Sequence, residues 1–350
     1  MLQPYSLINS HGKPHFGRFS KPVNEVNMKD ADYRTPLNKV AGKWKKHFHF
    51  KQFQYFGGIS DDLIFGCALA NTAYLGAIFV YVYRISDKKM LTWQFKRPFA
   101  FGLTMTNRPD NGVSTFKSGN KKILMRYQLN SQGERRKILD IDFGSELILQ
   151  GEMIEQADYE AMALCTPCSI NGWVYAQKTA AVAVTGTIKS SLGNYNLAEQ
   201  NTFGHHDFSA GYMRRETFWN WACFSGNQSL NTKAKNTPSL GLNVSWGVNQ
   251  TGYSENCFWV DEQIHSLPQV QFKFDRDDEH STWRVTSENQ QIDLSFIPEG
   301  MHKENINTGF LATNFKQIFG RFNGYLSTEG GQRYEIENLY GFVEDHYSKW

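Results

Sequence analysis

The sequence predicts an all-β protein built from two antiparallel β-barrels with few short helices. Three observations carry this. Apolar and polar residues alternate with a period of two along much of the chain. Polar turn clusters interrupt that alternation roughly every 8 to 15 residues. Aromatics reach 15% of 350 residues, with 26 Phe and 16 Tyr, and such side chains suit a pleated, half-buried surface.

The elements follow in chain order. Residues Met28 to Val40 are a candidate short helix. His47 and His49 in "HFHF" share one face of an expected strand. The uncharged run Leu63 to Tyr83, "LIFGCALANTAYLGAIFVYVY", is long enough to span a bilayer. Asn71 and Thr72 at its centre and the β-branched, aromatic second half instead predict two strands joined by a turn at "ANTAY". Alternation then places Leu91, Trp93 and Phe95 on one face, and likewise Ile123, Met125, Tyr127 and Leu129, then Leu139, Ile141 and Phe143. A second short helix is expected over Asp158 to Leu164. Further strands carry Leu242, Val244, Trp246 and Val248, then Phe272 and Phe274, then Ile292, Leu294 and Phe296. Roughly sixteen strands exceed one small barrel and make two of about eight each. A single large sandwich is the alternative. The expected seam is "KSSLGNYNLAEQ", Lys189 to Gln200, which gives domains over 1–190 and 191–350.

Bulk properties exclude several functions. A net charge of +3, with basic residues in short clusters such as Lys43, Lys45 and Lys46, gives no nucleic-acid stripe, so no nucleic-acid partner is expected. The five cysteines form no regular framework, which points to a reducing compartment and a cytoplasmic protein. "CTPC" at 165–168 has no second pair to complete a zinc site and reads as two unpaired thiols near a strand end. The chain shows no GxSxG, P-loop, GxGxxG after a strand, or HExxH. No metal and no cofactor is expected, and no transmembrane segment. The oligomeric state is left open.

The densest chemistry is "GHHDFSAGYMRRETFWNWACFSG", Gly204 to Gly226. Read as one strand, Tyr212 to Cys223 puts Arg215, Trp219 and Trp221 on one face and Arg214, Glu216 and Asn220 on the other. A strand half-exposed to water shows one clean apolar face; polar groups on both faces point to an enclosed polar space or an inter-barrel contact. Arg214 and Glu216, at i and i+2, can pair. A hairpin over Gly241 to Val260 adds Asn243, Ser245, Asn249, Glu255 and Asn256, and Asp207 completes the constellation. Such a pocket of carboxylates, amides and aromatic walls can desolvate a carboxyl into a general acid. The alternative is a buried network that holds the fold together.

The stretches "DFSAGYMRRETFWNWACFSG", "GLNVSWGVNQTGYSENCFWVDEQIHSL", "FGRFNGYL" and "LYGFVEDHYSKW", with "KWKKHFHFKQFQYFGGISDDLIFGCALANTAYLGAIFVYVYR" and "GWVYAQKTAAVAVTGTI" in the first half, resemble the bacterial family called domain of unknown function 2804. That family is similar to two-domain lipocalin-like proteins, among them carotenoid 1,2-hydratases of the hydroxyneurosporene synthase type, AttH-like proteins and fungal cyclising enzymes. The resemblance implies two lipocalin-like barrels packed together, with an apolar ligand site in or between them. In the hydratases an acidic side chain protonates an alkene; Asp207 and Glu255 are the positions for that role here. Arg214, Arg215, Glu216, Trp219, Asn220, Trp221, Asn243, Ser245, Asn249 and Asn256 are the candidate ligand-binding residues. Three readings remain: a binder of a lipophilic small molecule, an acid-catalysed hydratase, cyclase or isomerase, and a structural or interaction protein.

Overall fold

The computed structural model describes residues 5–227, 238–247, 253–307, 309 and 311–349. The chain divides into two compact units, Met1–Met213 and Arg214–Trp350. Each holds one sheet, and every strand ladder is antiparallel. The division falls beyond the expected seam at 189–200, because the strand Phe203–Gly211 pairs on both sides within the first unit, with Lys51–Ile59 and Gly172–Ser190.

In the first unit the main sheet runs Lys89–Pro98, Leu75–Arg84, Leu63–Asn71, Lys51–Ile59, Phe203–Gly211, Gly172–Ser190, Leu147–Glu155, Arg135–Asp142, Lys121–Leu129, Gly112–Ser118, Leu103–Thr104. It curls, because side chains from distant strands meet. Tyr127 packs edge-on to His206, and Phe95 lies 5.0 Å from Phe116 and 5.7 Å from Phe143. Among the described residues the end strands Lys89–Pro98 and Leu103–Thr104 share no ladder, so the curled sheet is a half-barrel, in keeping with the antiparallel barrel architecture expected. The predicted hairpin through "ANTAY" is present as Leu63–Asn71 and Leu75–Arg84, with the Asn71 side chain accepting from the Ala73 amide to set the turn. Among the described residues no helix is long and apolar enough to cross a membrane.

Three local expectations change. Met28 to Val40 holds only the 3-10 turn Met28–Asp30, since Pro36 interrupts any longer helix. Asp158 to Leu164 leads into the strand Met162–Cys168, where pairing with Gly172–Ser190 outweighs local propensity. "HFHF" ends the helix Lys43–His49 and is not a strand; Trp44 and Phe48 stack at i, i+4, and the Lys46 amine donates to the Ala31 carbonyl.

The second unit is a nine-stranded sheet: Gln263–Ser266, Cys257–Val260, Ser239–Trp246, Glu216–Asn227, Arg333–Lys349, Ala312–Ser327, Ile292–Asn307, Trp283–Ser287, Val270–Lys273. Its inner face closes on an apolar core that includes Phe224, Leu242, Val244, Phe258, Trp283, Leu294, Ile318 and Val343.

Candidate functional site

The stretch 204–226 is two strands in two units. Phe203–Gly211 ends the first unit, and Glu216–Asn227 opens the second. The expected continuous strand over Tyr212 to Cys223 is broken at 212–215. Tyr212 stacks on Tyr33 at 3.9 Å and meets Phe50 and Trp173 edge-on, which anchors the chain to the first unit before it departs. Arg214 and Arg215 lie in the break. Glu216 faces Lys349 across the ladder, at 3.4 Å, and accepts from the Tyr347 hydroxyl.

From Glu216 onward the two faces of the strand separate by role. Ala222 and Phe224 point into the apolar core. Two and four residues earlier, the same face carries Asn220 and Phe218. Register places Trp246 and Asp345 on either side of Asn220, and Tyr347 beside Phe218, followed by Asn314. These residues frame an open recess of about 470 Å³ at one end of the sheet. Phe218, Trp246 and Tyr347 are its aromatic walls, and Asp345, Arg276 and Asn314 are polar; His346 also borders it. Asn220 Nδ2 donates to Asp345 Oδ1 at 3.0 Å, and the Arg276 guanidinium donates to the same oxygen at 3.2 Å. Gly247 adopts φ +93°, and a Cβ there would meet the Phe218 ring at 2.6 Å, so only glycine lets that wall pack so closely.

The opposite face is a buried polar row. Trp219 Nε1 donates to Glu344 Oε2 and Gln317 Nε2 to Glu344 Oε1, both at 2.9 Å. The His346 ring lies 4.0 Å from Trp219, and its Nε2 meets the hydroxyls of Thr313 and Ser348 at 3.0 and 2.7 Å. Burial pushes the His346 imidazole down to about 3. Its Nδ1 and Gln317 Oε1 have no hydrogen-bond partner among the described residues. Trp221 Nε1 donates to Asn243 Oδ1, and Asn243 Nδ2 to the Glu255 carbonyl. Asn256 accepts from the Ser245 amide and donates to the Pro268 carbonyl. The expected pairing of Ser239–Trp246 with Cys257–Val260 is present, and the amides pin its two strands together.

The structure therefore gathers Trp219, Trp221, Asn243, Ser245, Glu255 and Asn256 on one sheet and puts Asn220 beside the recess. Asp207 belongs to the first unit. There Lys178 donates to its Oδ2 and Ser209 to its Oδ1, each at 2.8 Å. Asn249 lies outside the described residues. Sequence reasoning missed Glu344, Asp345, His346, Gln317 and Arg276. The only signal for the first three was "LYGFVEDHYSKW", which alternates polar and aromatic residues at the chain end.

The first unit holds a second polar interior. Glu155, fully buried, accepts from Arg135, Lys137 and Thr179. The inward register of Leu139 and Ile141 continues to Lys137 and Arg135, so this network was readable as an extension of that face. His206 meets the Tyr127 hydroxyl, which donates to Gln54; His205 meets Tyr55, which pairs with Tyr81. Burial pushes His205 down to about 3 and His206 well below its ordinary range. Among the described residues no group of three His, Cys, Asp or Glu side chains is placed to hold a metal ion.

A family model, Domain of unknown function (DUF2804), matches residues 1–350. The chain is a member of the DUF2804 family. No curated protein matches the sequence. A crystal structure of CghA with Sch210972 aligns at TM-score 0.54 and 12% identity, covering 99% of the DUF2804 chain and 97% of the other. A second CghA structure aligns at 0.53 and 11%, covering 86% and 88%. A putative AttH from Nitrosomonas europaea aligns at 0.47 and 11%, covering 84% and 92%. At these identities the CghA likeness shows a shared fold.

Proposed function

We propose that this DUF2804 protein binds a lipophilic small molecule of the fatty acid, polyene or isoprenoid kind at the recess of its second unit. One observation carries the reading: an open recess of about 470 Å³ with three aromatic walls and a single polar cluster. Ligand sites are concave, mostly apolar, several hundred Å³ in volume and fixed by a few polar groups. The fold supports it, since CghA shares that fold and has been crystallised with Sch210972. All five cysteines are buried thiols, which supports a reducing, cytoplasmic setting. The test is native mass spectrometry of freshly purified protein, followed by organic extraction. A stoichiometric lipophilic compound is expected. An empty protein that also fails to bind a panel of fatty acids and isoprenoids refutes the reading.

Glu255 is 4% exposed, in the buried polar row on the face opposite the recess, and this burial favours a second reading, acid catalysis on a molecule held away from that recess. Under it, Glu255→Gln or Asp207→Asn keeps ligand binding and removes turnover. Unchanged turnover in both variants removes these two residues from the chemistry. For Asp207 the grip of Lys178 and Ser209 favours a holding role.

A further inference from the structure

The polar end of the recess specifies what kind of head group it takes. Asp345 is held from the inside by Asn220 and from the outside by Arg276. These two contacts differ in kind. Asn220 is 2% exposed, whereas the Arg276 side chain is 64% exposed. The guanidinium also lies over the Phe274 ring, 5.5 Å from its centre. An exposed ion pair of this sort is worth little and exchanges readily. Glu216 pairs with Lys349, and Glu279 with Lys303 and Lys316. Among the described residues that line the recess Asp345 is the one carboxylate, and Phe218, Trp246 and Tyr347 stand around it. Trp246 and Tyr347 are 40% and 37% exposed, so their surfaces are open to a ligand. Aromatic walls around a carboxylate form a cation site, since ring faces and the anion attract the same charge.

We infer that the recess binds an organic ammonium ion with an apolar body, its head displacing Arg276 from Asp345 and its body lying against Trp246, Tyr347 and Phe218. The proposal rests on the reading of the recess as the ligand site and departs from it on the head group: of the ligand kinds named there, it drops the carboxylate-headed fatty acid. Arg276 is the resident competitor, a cation that the chain itself supplies. A fatty acid would bring its carboxylate to Asp345, where like charges repel. The recess is far larger than one ammonium group, so the apolar body is part of the recognition.

The test is calorimetric titration with three probes of equal chain length, decyltrimethylammonium, decanoate and decanol, each below its micellar concentration. The cation is expected to bind about tenfold more tightly than decanol, with decanoate weakest. Asp345→Asn, which keeps an acceptor for Asn220, is expected to bring the cation's affinity down to that for decanol. Arg276→Gln alters an exposed side chain and is expected to strengthen cation binding several-fold, because it removes the competitor. Equal affinity for the cation and decanol, or a preference for decanoate, overturns the inference while leaving the recess as an apolar site. Failure of all three probes to bind overturns the recess reading and the inference with it. Weaker cation binding in Arg276→Gln also overturns the inference.

Discussion

Acid should destabilise the second unit through His346, and the size of the effect follows from its surroundings. The ring lies tilted against Trp219 and edge-on to Phe315, and the groups that meet its Nε2 are neutral hydroxyls. The Glu344 carboxylate, two residues away on the same face, is directed to Trp219 and Gln317. Nothing in these contacts offsets desolvation, and the imidazole falls from 6.5 to about 3. The native pKa is therefore depressed, so the unfolded chain binds the proton first. His346's contribution to stability is complete above about pH 6.5 and is lost progressively as the pH falls toward 3. At about pH 5.5 the unfolded imidazole is roughly ten parts protonated to one, while the native ring stays neutral, so the loss relative to about pH 7.5 is ~1.4 kcal/mol. The assay is urea unfolding followed by tryptophan fluorescence at both pH values, on the wild type and on His346→Gln, which retains a group able to bond Thr313 and Ser348. The variant is expected to lose about 1.4 kcal/mol less on acidification than the wild type. Equal losses in the two proteins refute the argument, because His302, His205 and His206 then account for the whole acid response.

Two further outcomes follow from packing. Glu155→Gln leaves Lys137 and Arg135 buried at 1% and 5% exposure without their carboxylate and should destabilise the first unit by about 3–5 kcal/mol. Replacing Lys137 with Met in the same chain should recover much of that loss in thermal melts; a Glu155→Gln protein that melts normally contradicts the network's role. Gly247→Ala forces a Cβ to 2.6 Å from the Phe218 ring at φ +93°, which should cost about 1–3 kcal/mol and weaken ligand binding by displacing that wall. Unaltered melting and binding would show that the recess wall does not depend on this glycine.

Much of the fold was readable because period two is a local property. The alternation at Ile123 to Leu129 and Leu139 to Phe143 matches the strands Lys121–Leu129 and Arg135–Asp142. The seam was misplaced because nothing local in "KSSLGNYNLAEQ" shows that the next strand returns to pair with Lys51–Ile59, about 150 residues earlier. The short helix at Lys43–His49 was hidden for the opposite reason: "HFHF" alternates like a strand, while the i, i+4 pair Trp44–Phe48 favours a helix. The candidate site was half legible. Trp219, Trp221 and Asn243 stood out by composition, but Glu344, which accepts from Trp219, and Gln317, which bonds Glu344, lie about 100 residues away, and only the ladders bring them together.

The crowding of costly side chains over 204–226 has a topological cause. Both of its strands are interior to their sheets, each with a neighbour on either side. Polar groups on such strands need partners on whichever face they occupy, because a buried donor or acceptor left unpaired is expensive. Composition alone therefore cannot separate a site from a brace: Asp207 with Lys178 and Asp345 with Arg276 are both carboxylate–cation pairs. What separates them is exchangeability. Lys178 and Asp207 are 9% and 7% exposed, so any replacement for the lysine must enter a closed environment. Arg276 is 64% exposed, so another cation can take its place without unfolding anything. By that criterion the proposed binding site lies beside Asn220, and the Asp207–Lys178 pair has the closed surroundings of a brace.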